Sequence, residues 1–337
     1  TDEEVARAKQ TILKNIELSL TQTDQVGLAL SEWASRGDWR LIFINRDRVR
    51  AVTPADVQRV AQAYIKSSNR TLGVFIPTAK PDRADIPPVP DIAALVKGYK
   101  GDTTMTLGEA FDPSPANIDA RTIRSDLPSG MKVALLPKET RGQTVNATIR
   151  LHFGTEASLT GKATAASLAG SMLLRGTTTH TRQQIKDEFD RLMAQVSVRG
   201  SAEGATVSIS TVRANFPAVL RLVGEVLRQP SFEATEFTTL QREGLARLES
   251  QRTDPIALAQ TALSQATQAY APGHPRYVAT IDERITELTA ASVDDAKRFW
   301  VEFYGVGAGE VAVVGDFAPS EVLPVLTELF GTWKSPA

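Results

Sequence analysis

Apolar positions recur at helical spacing from the first turn of the chain. Val5, Ile12, Leu13, Ile16 and Leu20 share a face, and residues 2–66 are predicted to be helical. Thr53-Pro54-Ala55-Asp56 is an explicit helix start: an N-cap hydroxyl, a proline at the first helical position and an acid in the first turn. That helix is predicted to run to about Lys66. Thr71–Pro77 follows as an apolar run of strand length. The pattern then breaks. Pro81, Pro87, Pro88, Pro90, Pro113 and Pro115 punctuate a stretch with one short predicted helix, Asp91–Val96. It is too long for a loop within a domain, so a boundary is placed here.

Beyond it the period changes to two. Arg121–Ser125, Met131–Leu136 and Thr144–Phe153 are predicted strands, with a Pro128-Ser129-Gly130 turn after the first. Helices are expected at about 162–174 and 182–193, then strands at Gln195–Gly200 and Ala205–Thr211 around a Glu203-Gly204 turn. Long helices should cover about 213–228, 233–251 and 255–270. Ser292-Val293-Asp294-Asp295 starts another helix, Glu310–Val314 is a strand, and a last helix runs from Pro319 to before Gly331. Strands joined by hairpins and followed by helices predict an α+β fold, a mostly antiparallel sheet with helices packed on one face.

A shift of 239 residues superposes two segments without a gap. Thr53 and Asp56 fall on Ser292 and Asp295, Val60 and Tyr64 on Phe299 and Phe303, and Leu72, Val74 and Phe75 on Val311, Val313 and Val314. A shorter echo pairs Thr23-Asp24 with Thr253-Asp254. The organisation is therefore one and a half copies of one unit. Residues 1–77 form the C-terminal half of a truncated α+β domain, 78–120 a Pro-rich linker, and 121–337 a complete α+β domain.

Composition narrows the function classes. Net charge is −1, so no basic field recruits nucleic acid or an anionic membrane. No apolar run approaches the roughly 20 residues that span a bilayer. The absence of cysteine removes disulfides, thiolate zinc sites and cysteine nucleophiles. Thr1-Asp2-Glu3-Glu4 enters a helix with neither Met nor a signal peptide, which leads us to expect a fragment of a longer chain.

The chemistry-bearing pattern lies at Gly161–Thr177, GKATAASLAGSMLLRGT. Gly161, Lys162, Ala166, Met172, Leu173, Gly176 and Thr177 match, without a gap, the frame G-K-T-G-L-A-H-F-L-E-H-M-L-F-K-G-T of the insulinase/pitrilysin zinc peptidases (inverzincins). In that family H-x-x-E-H places two zinc-binding histidines on one helical face with a general-base glutamate between them. A second glutamate roughly 75 residues downstream completes the site. Ser167 and Ser171 stand at the histidine positions and Gly170 at the glutamate. Counting 76 residues on from Ser171 reaches Arg247. Leu127–Pro137, Gly154-Thr155-Glu156, Gln229-Pro230-Ser231-Phe232 and Val311–Phe317 resemble further stations of the family in the same order.

The resemblance implies that residues 1–77 end a second domain and 121–337 form a degenerate third. Zinc and proteolysis would belong to an absent N-terminal domain. The expected role is the non-catalytic part of a peptide-enclosing chamber in a periplasmic or envelope zinc metalloendopeptidase, whose substrate is a peptide or unfolded polypeptide. The alternative is a fully inactive structural or peptide-binding subunit of a peptidase-like complex. Exposed faces beside the half domain suggest a homodimer. No cofactor is expected in this chain. Val196-Ser197-Val198 is either an ordinary strand or, by the resemblance, an edge that adds a peptide strand.

Other candidates are weaker. His152, His180 and His274 lie 28 and 94 residues apart, so no two share a helical face. No histidine is placed to activate Ser167 or Ser171. Gly305-Val306-Gly307-Ala308-Gly309 precedes its strand, whereas a phosphate loop follows one. Asp187, Glu188 and Asp190, flanked by Lys186 and Arg191, are expected to be a solvated charged face.

Overall fold

A computed structural model describes residues 1–66, 91–99 and 106–337. The predicted strand Thr71–Pro77 and its part of the repeat lie outside the described residues. The chain divides into two compact units, Thr1–Met105 and Thr106–Ala337.

The first unit is helical where it is described. It comprises α1 (Asp2–Ser19), α2 (Thr23–Ser35), α3 (Leu41–Ala51), α4 (Pro54–Tyr64) and α5 (Ile92–Val96). Capping boxes start α1 at Thr1 and α4 at Thr53. Each satisfies orphan amide donors that the first turn leaves open. Leu18, Leu20, Ile42 and Val96 are buried, as is the Arg46 guanidinium, whose Nε lies 3.0 Å from Asp47. Val57, Val60 and Tyr64 form an exposed apolar stripe on α4.

The second unit holds α6 (Pro115–Arg121), β1 (Ile123–Asp126), β2 (Lys132–Pro137), β3 (Thr144–His152), α7 (Glu156–Leu159), α8 (Ala163–Met172), α9 (Arg182–Arg191), β4 (Gln195–Ser201) and β5 (Gly204–Val212). It continues with α10 (Phe216–Arg228), α11 (Ala234–Gln251), α12 (Pro255–Thr267), α13 (Ile281–Ala290), α14 (Val293–Phe303), β6 (Glu310–Gly315) and α15 (Pro319–Phe330). The six strands form one sheet in the order β1-β2-β6-β3-β5-β4. Only the β2–β6 pair is parallel. The expected α+β class, mostly antiparallel, is the observed one.

Alternation along the strands divides the sheet's faces. In β3, Val145, Ala147, Ile149 and Leu151 are buried while Asn146, Arg150 and His152 are exposed. The buried face meets apolar stripes of α8, α10, α14 and α15 in one cluster that includes Phe216, Leu220, Phe299, Phe303 and Phe330. The open face is polar. The repeat has a structural counterpart at its helix starts, since Ser292 caps α14 with Asp295 as Thr53 caps α4 with Asp56. The stripes differ in fate: Phe299 and Phe303 are buried, whereas Val60 and Tyr64 are exposed.

Two local expectations shift. Residue 121 ends a helix rather than starting a strand, because Ser114 caps and Pro115 occupies the first turn of α6, the same start signal as Thr53-Pro54. Helix α13, capped by Thr280 with Glu283, lies in a stretch for which no element was predicted.

Candidate functional site

Helix α8 carries the degenerate motif, and its small residues have a geometric reason. Ala166, Ala169 and Gly170 are buried; Ser167 and Ser171, four residues apart, are exposed. The buried side lies directly on edge strand β4. A Cβ at Gly170 would stand 2.6 Å from both N and Cα of Gly200. A Cβ at Gly200 would stand 2.9 Å from Gly170 Cα and 3.0 Å from the Ala166 carbonyl oxygen. Two backbones meet there with no room for a side chain on either. The Tyr304 hydroxyl would lie 3.5 Å from the Gly170 Cβ. It is buried without a hydrogen-bond partner among the described residues, and burial pushes its phenol above the ordinary tyrosine range.

Helix α11 runs beside α8. Arg247 is exposed, and it is Leu248 and Gln251 that face α8 across a hollow of about 570 Å³ lined also by Ser167. The four motif positions therefore scatter. Ser167 lines the hollow, Ser171 faces outward, Gly170 is pressed on β4, and Arg247 is exposed. This donor set does not fit zinc: it offers two hydroxyls, no side chain and a cation where imidazoles and carboxylates are needed.

Val196, Ser197 and Val198 lie in the seven-residue strand β4, at the end of the sheet. Val196 and Val198 are half-buried and pack against the core; Ser197 is exposed on the open face. β4 pairs with β5 from Gln195↔Ser210 to Ser201↔Gly204, and among the described residues no strand lies on its other side. Alternate N–H and C=O groups along that side are not used in pairing with β5.

The histidines behave differently from one another. His180 Nδ1 lies 2.8 Å from Glu225 Oε1, which also accepts from Thr177 and Thr179 at 2.5 Å each. Burial raises the Glu225 pKa, but these bonds outweigh it and hold the carboxyl below its ordinary value. His274 stacks on Tyr270 at 4.1 Å between ring centres and places Nε2 3.4 Å from Glu156. His152 and His274 line one hollow of about 430 Å³, a juxtaposition that local spacing could not reveal. Among the described residues no three His, Asp or Glu side chains converge as a metal site. The acidic run on α9 is only partly a solvated face. Glu188 pairs with Arg191 at 2.6 Å, but Asp190 is buried and takes Lys186 at 3.3 Å.

No family model and no curated protein matches the sequence. Solved structures do match. One is a peptidase M16 inactive domain from Pseudomonas fluorescens, with TM-score 0.56 and 20% identity, covering 64% of this chain and 52% of that one. The fold is that of the peptidase M16 domains. A protease from Helicobacter pylori gives TM-score 0.54 and 18% identity over 64% of this chain and 51% of its own. The first half of the periplasmic protease PqqL from Escherichia coli gives 0.53 and 15% over 69% and 49%. The chain spans about half the length of these three. The M16-type fold agrees with the insulinase/pitrilysin resemblance carried by Gly161–Thr177. Arg284, which sequence patterns did not single out, lines the hollow beside Ser167.

Proposed function

We propose that this chain is a non-catalytic, peptidase-like part of an M16-type peptidase, that it walls a chamber around a peptide, and that it holds the peptide as an added strand on β4. Zinc and hydrolysis are assigned to another domain of the parent protein, and the periplasm is the proposed compartment. The observation that carries the reading is the pairing of an open, regular edge strand with a motif helix whose side chains cannot supply a metal site. Strand addition binds through backbone groups, so it survives the loss of catalytic side chains and tolerates many sequences.

The test uses proline. In β4 the N–H groups of Ser197 and Val198 point to opposite sides, one into the β5 ladder and one outward. Ser197→Pro and Val198→Pro therefore separate folding from binding. The variant that removes the outward N–H should keep its Tm and lose affinity for a casein-derived unfolded polypeptide by about tenfold, following the roughly 1 kcal/mol of a hydrogen bond and the added steric block. The other should lower Tm. Unchanged binding in both variants would refute the β4 reading.

A further inference from the structure

The hollow between α8, α11, α12 and α13 contains a cation, Arg284, that makes no ion pair among the described residues. Its Nε is buried without a hydrogen-bond partner. The three acids on α13 direct their carboxylates to other partners. Asp282 pairs with Arg252. Glu283 caps the helix at the Thr280 N–H, 2.8 Å away, and accepts from the Tyr277 hydroxyl at 3.1 Å. Glu287 accepts from Thr164 on α8 at 2.5 Å. A buried Nε without a partner is costly, and the guanidinium's planar fork matches a carboxylate.

The surroundings define what else the ligand carries. Leu168, Leu248 and Leu288 form apolar walls, and Gln251 and Gln260 offer amides. At about 570 Å³ the hollow is the size of a site for a few residues of peptide rather than a lone ion. Glu287, engaged by Thr164, sits one helical turn from Arg284 and disfavours a second negative charge there. A single carboxylate attached to an apolar group fits; a polyanion does not.

We propose that this hollow binds the free carboxyl terminus of a peptide whose last residue is apolar, with Arg284 receiving the carboxylate and the leucines receiving the side chain. The proposal rests on Arg284 and not on β4, so either can fail alone.

The probe is acetyl-Ala-Ala-Leu with a free carboxylate, compared with its C-terminal amide by calorimetric titration of the whole chain in low-salt buffer free of carboxylates. The acid should bind saturably and the amide at least tenfold more weakly, as expected for one charge-assisted hydrogen-bonding pair. Arg284→Gln should weaken the acid by a similar factor and abolish the difference between acid and amide. It breaks no hydrogen bond or ion pair among the described residues and keeps much of the side chain's length, so its Tm should change little. Ser167→Phe, which fills the hollow from the exposed side of α8, should remove binding of both. The proline variants of β4 should leave this binding intact. Equal binding of acid and amide, insensitivity to Arg284→Gln, or absence of saturable binding would overturn the proposal. So would displacement by inorganic phosphate or by acetate as effective as by the peptide, because the hollow would then read charge alone.

Discussion

Gly170→Ala inverts an ordinary expectation. At an exposed position inside a helix, glycine to alanine gains about 1 kcal/mol from backbone entropy. At Gly170 the added carbon would lie 2.6 Å from two backbone atoms of Gly200. Carbon–carbon contacts settle near 3.5–4.0 Å, so roughly 1 Å of overlap must be relieved by moving α8 away from β4. Neither obstacle is a side chain that can rotate aside. Overpacking of this kind costs about 1–3 kcal/mol, and a backbone-to-backbone clash belongs at the upper end. Set against the propensity gain, the variant should lose about 1–2 kcal/mol. For a domain of 150–250 residues that is a fall in Tm of roughly 2–8 °C.

The assay is thermal and urea unfolding followed by circular dichroism, with Ser171→Ala as the control on the exposed side of the same helix. The control should be neutral or slightly stabilising. Gly200→Ala should destabilise as well, because its Cβ would meet Gly170 and the Ala166 carbonyl. The double variant should lose more than the sum of the two singles, since both carbons claim the same space. A Gly170→Ala protein as stable as the parent, or more so, would refute the backbone contact between α8 and β4. The same geometry predicts that placing glutamate at 170, as the catalytic motif would have it, unfolds or displaces α8 rather than rebuilding a site.

Tyr304→Phe removes a buried hydroxyl without a partner and should raise stability by up to about 1 kcal/mol at neutral pH. Because burial raises this phenol above its ordinary value of 10.0, the parent's stability is full below that pH and falls as pH rises through it. The gain from phenylalanine should therefore widen above pH 10 in alkaline denaturation curves. Glu225→Gln should cost about 1–2 kcal/mol at pH 7 by weakening the bonds from Thr177, Thr179 and His180. The depressed Glu225 pKa contributes stability above the ordinary carboxylate value, and that contribution is lost as pH falls through the folded value. Parent and variant should thus converge in acid, which a Tm series from pH 7 down to pH 3 would show.

The fold was legible because its signals are local and periodic. Alternation in β3 and β5, the capping pairs at Thr53 and Ser292, and the Gly161–Thr177 frame each need only neighbouring residues. What the sequence concealed was convergence in space. Nothing near Arg284 announces that Asp282, Glu283 and Glu287 are all engaged elsewhere. His152 and His274 share a hollow through the fold, not through spacing. The meaning of Gly170 was only half visible: the resemblance aligned it with a glutamate position, but not with Gly200, thirty positions along, whose backbone leaves no room for a side chain there.

The two edges of the sheet support the proposed role of β4 by contrast. An edge strand is a hazard that proteins ordinarily blunt with shortness or charge. β1 follows that rule. It has four residues, two of them charged, with Arg124 paired to Asp119 at 2.8 Å and Asp126 to Lys132 at 2.7 Å. β4 does not. It runs seven residues in unbroken register with β5, carries a single charge at Arg199 and contains no proline. It is also braced from one face by α8 at the closest backbone approach the glycines allow. A long edge without proline and with a single charge invites aggregation unless it has an occupant. Under the proposed role, the edge would bind a peptide through its backbone and would need no catalytic side chain. Gly170 and Gly200, each unfavourable by helix or strand propensity, are explained by the close approach of α8 to this edge, independently of any metal.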